Sequence, residues 1–201
     1  MAIETSIWIY WLLCLLATIL IVANRNFVDK LLSPYSKSFY LDKGYTTFLI
    51  LGWITTFMAS SVYILFTRKY EIGTYEISDL LLFSVMNGVL EQFMFIFWFL
   101  LGCYLGHIIV SKNHKLIFLF GYISYFIFSG LIHALFWTKV LPLHQPATVV
   151  MISALTTMSL IWMWLAWRYR AVVAIIAMHI LIDFLMIGHL HFTWFDSLQL
   201  I

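Results

Sequence analysis

Charged residues are scarce in this chain. Of its 201 residues only 10% are Asp, Glu, Lys or Arg, whereas 64% are hydrophobic and the mean hydropathy is +0.98. Soluble domains usually carry about 25% charged residues, so this composition excludes a soluble globular fold. The net charge is only +2 and the sequence has no block of Lys or Arg, so we expect no nucleic-acid partner.

Cysteine and tight metal-binding spacings are also lacking. The two cysteines, Cys14 and Cys103, lie in apolar stretches without a pairing pattern, so we interpret them as small packed hydrophobic residues. The sequence contains no H-E-x-x-H motif, and we expect no metal and no cofactor. The seven histidines nevertheless keep a metal site open as an alternative, because imidazole is a common metal ligand.

The N-terminal segment lacks positive charge. No Lys or Arg precedes the first apolar stretch, and Glu4 lies there instead. A cleaved signal peptide begins with a basic region. We therefore expect this segment to be retained as a transmembrane helix.

Long apolar stretches are abundant. A helix that spans a bilayer needs roughly 17–25 mostly apolar residues, and six stretches reach or approach this length: Ile7–Ala23, Thr46–Phe66, Leu80–Val110, Leu116–Trp137, Ala147–Trp167 and Val172–Gly188. No repeat or linker divides them. We predict an all-α fold, a polytopic membrane helix bundle of about six transmembrane helices, as a single integral membrane domain over residues 1–201 with the lipid bilayer as a partner.

The basic residues in the loops predict the orientation. Eight of the eleven Lys and Arg residues follow the first, third and fifth stretches: Arg25, Lys30, Lys37, Lys43, Lys112, Lys115, Arg168 and Arg170. Loops rich in Lys and Arg stay in the cytoplasm. Both termini are therefore expected outside.

Four ionisable side chains lie inside the apolar stretches. They are Glu91, His133, His179 and Asp183. A charge at the bilayer centre costs at least about 2.5–3.5 kcal/mol, so such residues are rare in spans unless they have a function. We therefore predict a polar site within the membrane, with these four residues as its catalytic candidates.

Polar neighbours lie close to two of the candidates. His179 and Asp183 are four residues apart and share a helix face, so the carboxylate can hold the imidazole or both can face one ligand. Alternatively, the pair satisfies itself between helices. Asn87 shares a face with Glu91, while Gln92 points about a quarter-turn away. We expect both to support the site.

Glu91 and His133 suit proton transfer. Apolar surroundings penalise the charged form of Glu91 until water or a partner stabilises it, which suits a general base near neutral pH. Its alternative role is that of a protonated hydrogen-bond donor between helices. His133, with Ser129 one turn earlier as a supporting residue, is a second base or a partner of a backbone group. At a rise of about 1.5 Å per residue the depths of these groups are compatible with one site.

The order of these residues resembles that of a known family. Val89–Ile96 resembles a first motif E-E-x-x-x-R, Ser129–His133 a second motif F-x-x-x-H, and Trp164–Arg170 followed by His179–Asp183 a basic turn and a third motif. This order is similar to that of the CAAX-protease and bacteriocin-processing family of glutamic-type intramembrane peptidases, over roughly residues 80–188. Three positions differ from the family pattern, namely Gln92, Ile96 and Ser129.

The resemblance implies a reaction and roles for the residues. Glu91 and His133 would activate a water for attack on a peptide carbonyl, and His179 and Asp183 would stabilise the oxyanion or position the water. The expected protein is thus an endopeptidase that cleaves a membrane-associated peptide or protein. A bacterial cytoplasmic membrane is its expected location.

Two other classes of function remain open. The changed residues of the first motif favour a catalytically degenerate member, which would bind a peptide as an immunity or regulatory membrane protein. A His-rich membrane metalloenzyme or a small proton-coupled transporter would also place ionisable groups in its spans.

Overall fold

A computed structural model describes residues 3–32, 42–67, 75–111, 113–139, 142–186 and 199–200. These residues form α1 (Ile3–Ala23), α2 (Arg25–Leu31), α3 (Lys43–Thr67), α4 (Ile77–Val110), α5 (His114–Lys139), α6 (Thr148–Tyr169) and α7 (Val172–Met186). A 3-10 turn, Pro142–Ala147, precedes α6, and the two-residue strands β1 (Tyr75–Glu76) and β2 (Gln199–Leu200) pair antiparallel. The predicted all-α fold is confirmed.

Five of these helices, α1, α3, α4, α5 and α6, are long and apolar enough to cross a membrane. The apolar helix α7 is shorter, with 15 residues, and the last two residues of its predicted stretch lie outside the described ranges. Large apolar side chains cover the outside of the helices, where Leu12 is 64% and Ile127 is 63% exposed. Such a surface fits lipid rather than water, which agrees with the predicted polytopic membrane bundle.

Helix α4 is the central element of the bundle. Its 34 residues contact α1, α5 and α7. Its length matches the third predicted stretch, which is longer than one straight span requires. Against α5 the backbones come very close, because a Cβ at Gly102 would lie 2.8 Å from the Cα of Gly121. Small residues allow this kind of approach between membrane helices.

Gly88 permits a second close approach, between α4 and α7. A Cβ at this position would lie 2.7 Å from the backbone nitrogen of Ile180, so any larger side chain would push the two helices apart. Ile180 follows His179 directly, and Gly88 follows Asn87. The contact therefore places the polar residues of α4 beside those of α7.

We expect the Gly88→Ala substitution to destabilise the bundle by about 1–3 kcal/mol, because an extra methyl group in a packed interior forces its neighbours to shift. Gly130→Ala is the matched control, since no atom lies within 4 Å of a Cβ there. In that open position Ala instead favours the helix by about 1 kcal/mol. Thermal unfolding in detergent measures both variants. Equal stability of the two would contradict the close packing at Gly88.

Two ion pairs connect the end of α6 to α2 and to the residue before α3. Arg170 Nη1 lies 3.0 Å from Asp29 Oδ1, and Arg168 Nη2 lies 3.2 Å from Asp42 Oδ2. Arg170 ends α6 in the left-handed conformation with φ of 54°, which reverses the chain into α7. The turn between α6 and α7 therefore lies on the same face as α2 and the start of α3.

Candidate functional site

Five polar side chains predicted from the sequence meet between α4 and α7. They are Asn87, Glu91, Gln92, His179 and Asp183, and all are buried. Spacings of one helical turn place Asn87 and Glu91 on one face of α4, and His179 and Asp183 on one face of α7. We refer to these five residues as the polar cluster.

Asn87 joins the two carboxylates of the polar cluster. Its Nδ2 donates to Glu91 Oε2 at 2.6 Å and to Asp183 Oδ2 at 3.0 Å. Its Oδ1 accepts a hydrogen bond from the indole nitrogen of Trp11 at 3.1 Å. The amide is therefore held from α1 while it binds carboxylates on both α4 and α7.

His179 faces both carboxylates with one ring nitrogen. Its Nε2 lies 3.5 Å from Glu91 Oε2 and 3.5 Å from Asp183 Oδ2. The other nitrogen, Nδ1, lies 3.1 Å from Gln92 Oε1, and an amide oxygen can only accept a hydrogen bond. Gln92 thus holds the Nδ1 proton and directs Nε2 towards Glu91 and Asp183.

Aromatic rings hold the two histidines of the site. The ring of Phe95 stacks on His179 with centroids 5.6 Å apart and an interplanar angle of 5°, and on His133 with centroids 5.9 Å apart. Trp162 packs against His179 at 5.6 Å. The imidazole orientations are therefore set by packing as well as by hydrogen bonds.

His133 lies beside the polar cluster and bonds within its own helix. Its Nδ1 is 2.7 Å from the carbonyl oxygen of Ser129 and 3.3 Å from the hydroxyl of that residue. His133 nevertheless lines the same cavity as Glu91 and His179. The structure thus brings His133 to the site. The hydroxyl of Ser129 lies within hydrogen-bond distance of Tyr125 and of His133.

Tyr10 is a site residue that the sequence reasoning missed. Its hydroxyl donates to Glu91 Oε1 at 2.5 Å, so both oxygens of Glu91 accept a hydrogen bond. The one sequence feature that could have identified Tyr10 is its position inside an apolar stretch, because a buried hydroxyl usually needs a hydrogen-bond partner. In a chain with 19% aromatic residues that signal does not single out one tyrosine.

The polar cluster opens into a cavity of about 420 Å³. Such a volume is typical of sites for small ligands or parts of larger ones. Ser6 near the start of α1, Lys139 at the end of α5 and Met186 at the end of α7 line it, so it reaches that end of the bundle. Most of its other walls are apolar: Ile7, Phe83, Ile132, Leu135, Phe136, Trp137, Leu155, Trp162 and Ile182.

We expect Tyr10→Phe to lower the free energy of unfolding by about 1.5–3 kcal/mol, the usual contribution of a hydrogen bond to a charged group. The matched control is Tyr104→Phe, because Tyr104 is 42% exposed on α4 and loses no buried partner. Unfolding in detergent compares the two. If both variants are equally stable, the hydroxyl of Tyr10 does not stabilise Glu91.

The polar cluster offers two kinds of chemistry. A buried carboxylate beside an imidazole can hold a water and accept its proton. Glu91, His179 and Asp183 also each present one ligand atom, and the three atoms lie within 4.8 Å of one another. Among the described residues this is the one group of three or more His, Cys, Asp or Glu side chains with that geometry. His107 and His114 lie at the other end of the bundle, and His189 and His191 lie outside the described ranges.

Comparison of the chain with protein-family models, with curated proteins and with solved structures gave no match. The function is therefore inferred from the chemistry of the polar cluster and of the cavity into which it opens.

Proposed function

We propose that this protein is an intramembrane endopeptidase in which Glu91 acts as the base that activates a water. The observation that carries the proposal is the buried contact of His179 with both Glu91 and Asp183 at a mostly apolar cavity. The cavity suits an apolar peptide segment, and the polar cluster supplies the groups for hydrolysis. The motif resemblance to glutamic-type intramembrane peptidases agrees with this assignment.

In the proposed reaction the water oxygen attacks a peptide carbonyl carbon while Glu91 takes a proton from the water. The carbonyl oxygen becomes an oxyanion. His179 and Asp183 stabilise this oxyanion or position the water, which are the roles that the family resemblance implies. When the C–N bond breaks, the amine receives the proton that Glu91 took from the water, and His133 at the same cavity is the second carrier of this proton. The products are a carboxylate and an amine.

Three contacts compensate for two residues that differ from the family motif. Ile96 stands where the family has an arginine, and Glu91 is held instead by Tyr10 on one oxygen and by Asn87 on the other. Gln92 stands where the family has a second glutamate, and its Oε1 faces the Nδ1 of His179. These contacts favour an active enzyme over a degenerate one.

The proposed location is a bacterial cytoplasmic membrane with both termini outside. The eight basic residues in the loops after the first, third and fifth stretches support this orientation. The cavity reaches the end of the bundle where α1 begins and α5 ends. In this orientation a substrate enters from the outer side of the membrane.

Wild-type protein, Glu91→Ala and His179→Ala are to be compared in cells, with peptides of the membrane proteome as the readout. Asp29→Ala is the control, since Asp29 forms an exposed ion pair with Arg170 far from the cluster. We expect one cleavage product to be present with wild type and control, and absent with both cluster variants at equal expression. Cleavage that persists in Glu91→Ala would exclude the proposed mechanism.

The second candidate function is peptide binding by an immunity or regulatory membrane protein. It is favoured by Gln92 and Ile96, which replace two charged residues of the family motif. In that case the cavity binds a peptide without cleaving it. The biological activity would then survive Glu91→Gln, whereas Gly88→Ala, which destabilises the contact between α4 and α7, would lower it.

A further inference from the structure

We infer that Tyr10 is a further catalytic residue, whose hydroxyl donates a hydrogen bond to the oxyanion that forms when water attacks the peptide carbonyl. This inference rests on the proposed function and leaves Glu91 as the base. It adds a residue of α1, which lies outside the part of the chain that resembles the family motifs.

The two oxygens of Glu91 lie in different surroundings. Oε2 accepts a hydrogen bond from Asn87 Nδ2 at 2.6 Å and lies 3.5 Å from His179 Nε2. Oε1 accepts the hydrogen bond of the Tyr10 hydroxyl at 2.5 Å. Because the contacts of the polar cluster hold Oε2, Oε1 is the oxygen that takes the proton of the water. The hydroxyl of Tyr10 therefore lies next to the atom at which the reaction begins.

Tyr10 also lies where a substrate can reach it. Tyr10 and Glu91 line the same cavity. The neighbouring residue Trp11 fixes this part of α1, because its buried indole donates to Asn87 Oδ1 at 3.1 Å and its ring packs on Phe83. A carbonyl oxygen in the cavity can lie about 3 Å from the Tyr10 oxygen while a water on Oε1 faces its carbon, as an oxyanion donor and a nucleophile require.

The reaction itself releases the Tyr10 hydroxyl from Glu91. Before the attack, the carboxylate is the stronger acceptor, because hydrogen bonds to charged groups are stronger than those to neutral ones. When the proton of the water moves to Oε1, Glu91 becomes neutral and the negative charge appears on the carbonyl oxygen. The O–H of Tyr10 then turns about its C–O bond towards the new charge.

Tyr10 keeps its proton throughout this sequence. The hydrogen bond moves from Oε1 to the oxyanion, and no bond of the phenol breaks. When the C–N bond breaks, the amine takes the proton from Glu91, which is then charged again. The hydroxyl of Tyr10 returns to Oε1, so the site regains its starting state after each cleavage.

The amide and imidazole groups of the polar cluster are already engaged. Asn87 Nδ2 donates to both carboxylates. His179 faces Gln92 Oε1 with Nδ1 and the two carboxylates with Nε2. An oxyanion is usually held by several donors arranged in advance. Tyr10 therefore supplies a donor from α1 in addition to His179 from α7.

The test measures kcat and KM of the full chain, purified in detergent, with the peptide whose cleavage is identified in cells. Tyr10→Phe is expected to lower kcat by about 10²- to 10³-fold, the usual loss for one oxyanion donor. KM should change little, because the interaction is made in the transition state. Tyr104→Phe on the exposed side of α4 is the matched control and should cleave at the wild-type rate.

Trp11→Phe separates catalysis from a merely structural role of Tyr10. This variant removes another hydrogen bond between α1 and the polar cluster, but it takes no hydroxyl from the cavity. It should therefore lower kcat much less than Tyr10→Phe does. Thermal unfolding of both variants shows that each is folded at the temperature of the assay.

A phosphinate analogue of the same peptide gives a second measurement. Its tetrahedral, negatively charged group replaces the scissile amide, and such analogues bind at least about 10²-fold more tightly than substrates. We expect Tyr10→Phe to lose most of this gain, whereas its affinity for the uncleaved peptide stays that of wild type. A phosphinate that wild type binds no more tightly than the peptide overturns the inference without any variant.

The outcomes for Tyr10 and for the proposed function are distinct. Cleavage that is lost in Glu91→Gln but continues at the wild-type rate in Tyr10→Phe overturns the role of Tyr10 and leaves the peptidase. Equal losses of kcat in Tyr10→Phe and Trp11→Phe also overturn it, since the contact of α1 alone then explains the result. Wild-type protein that cleaves no peptide overturns both.

Discussion

Glu91→Gln is expected to lower the rate of peptide cleavage by about 10²- to 10⁴-fold, the usual contribution of a positioned general base. The amide keeps the size of the side chain and can still accept the hydrogen bond that Tyr10 donates to Oε1. It cannot take a proton from water. Cleavage of the substrate identified in cells, by purified protein in detergent, gives the rate.

The control for this experiment is Asp29→Asn, which makes the same change of carboxylate to amide on the exposed helix α2. Its rate should equal that of wild type, because an exposed ion pair contributes little to the fold. Thermal unfolding of both variants excludes a general loss of structure. A Glu91→Gln variant that is folded and cleaves at the wild-type rate would refute the role of Glu91 and favour the peptide-binding function.

His179→Leu is expected to destabilise the protein by about 3–5 kcal/mol. Leu leaves Glu91 and Asp183 facing each other without the imidazole that lies 3.5 Å from both, and removal of one partner from a buried charged group carries a penalty of this size. The free energy of unfolding in detergent, with denaturant as the variable, measures the loss.

His107→Leu is the matched substitution, because His107 lies half-buried in the last turn of α4, away from the polar cluster. We expect it to change the stability by much less. The double variant His179→Leu, Glu91→Gln should regain part of the loss, since the uncompensated carboxylate is gone. If the two substitutions are simply additive, the two residues do not interact.

The spans could be predicted from the sequence because hydropathy is a local property. A bilayer requires about 20 apolar residues in a row, and such a row is visible without knowledge of what packs beside it. The stretch Thr46–Phe66 thus corresponds to α3, Lys43–Thr67, within a few residues at each end. The predicted stretch Val172–Gly188 corresponds to α7, Val172–Met186, within the described residues.

The candidate site was predicted in part. Ionisable residues inside apolar stretches are conspicuous, so Glu91, His179 and Asp183 could be named, and helical spacing added Asn87. Tyr10, Trp11 and Phe95 could not be named in the same way. They contact the cluster from α1 and from within α4, and aromatic residues are common throughout the chain.

The sequence by itself determined that this is a polytopic helical membrane protein with ionisable side chains in three of its apolar stretches, because composition and helical spacing are read along the chain. Only the tertiary structure decided which of these side chains meet. Gly88 allows α7 to approach α4, and this approach sets the 3.5 Å distances from His179 to both carboxylates. Contacts between helices depend on the packing of residues far apart in sequence, and no local pattern specifies them.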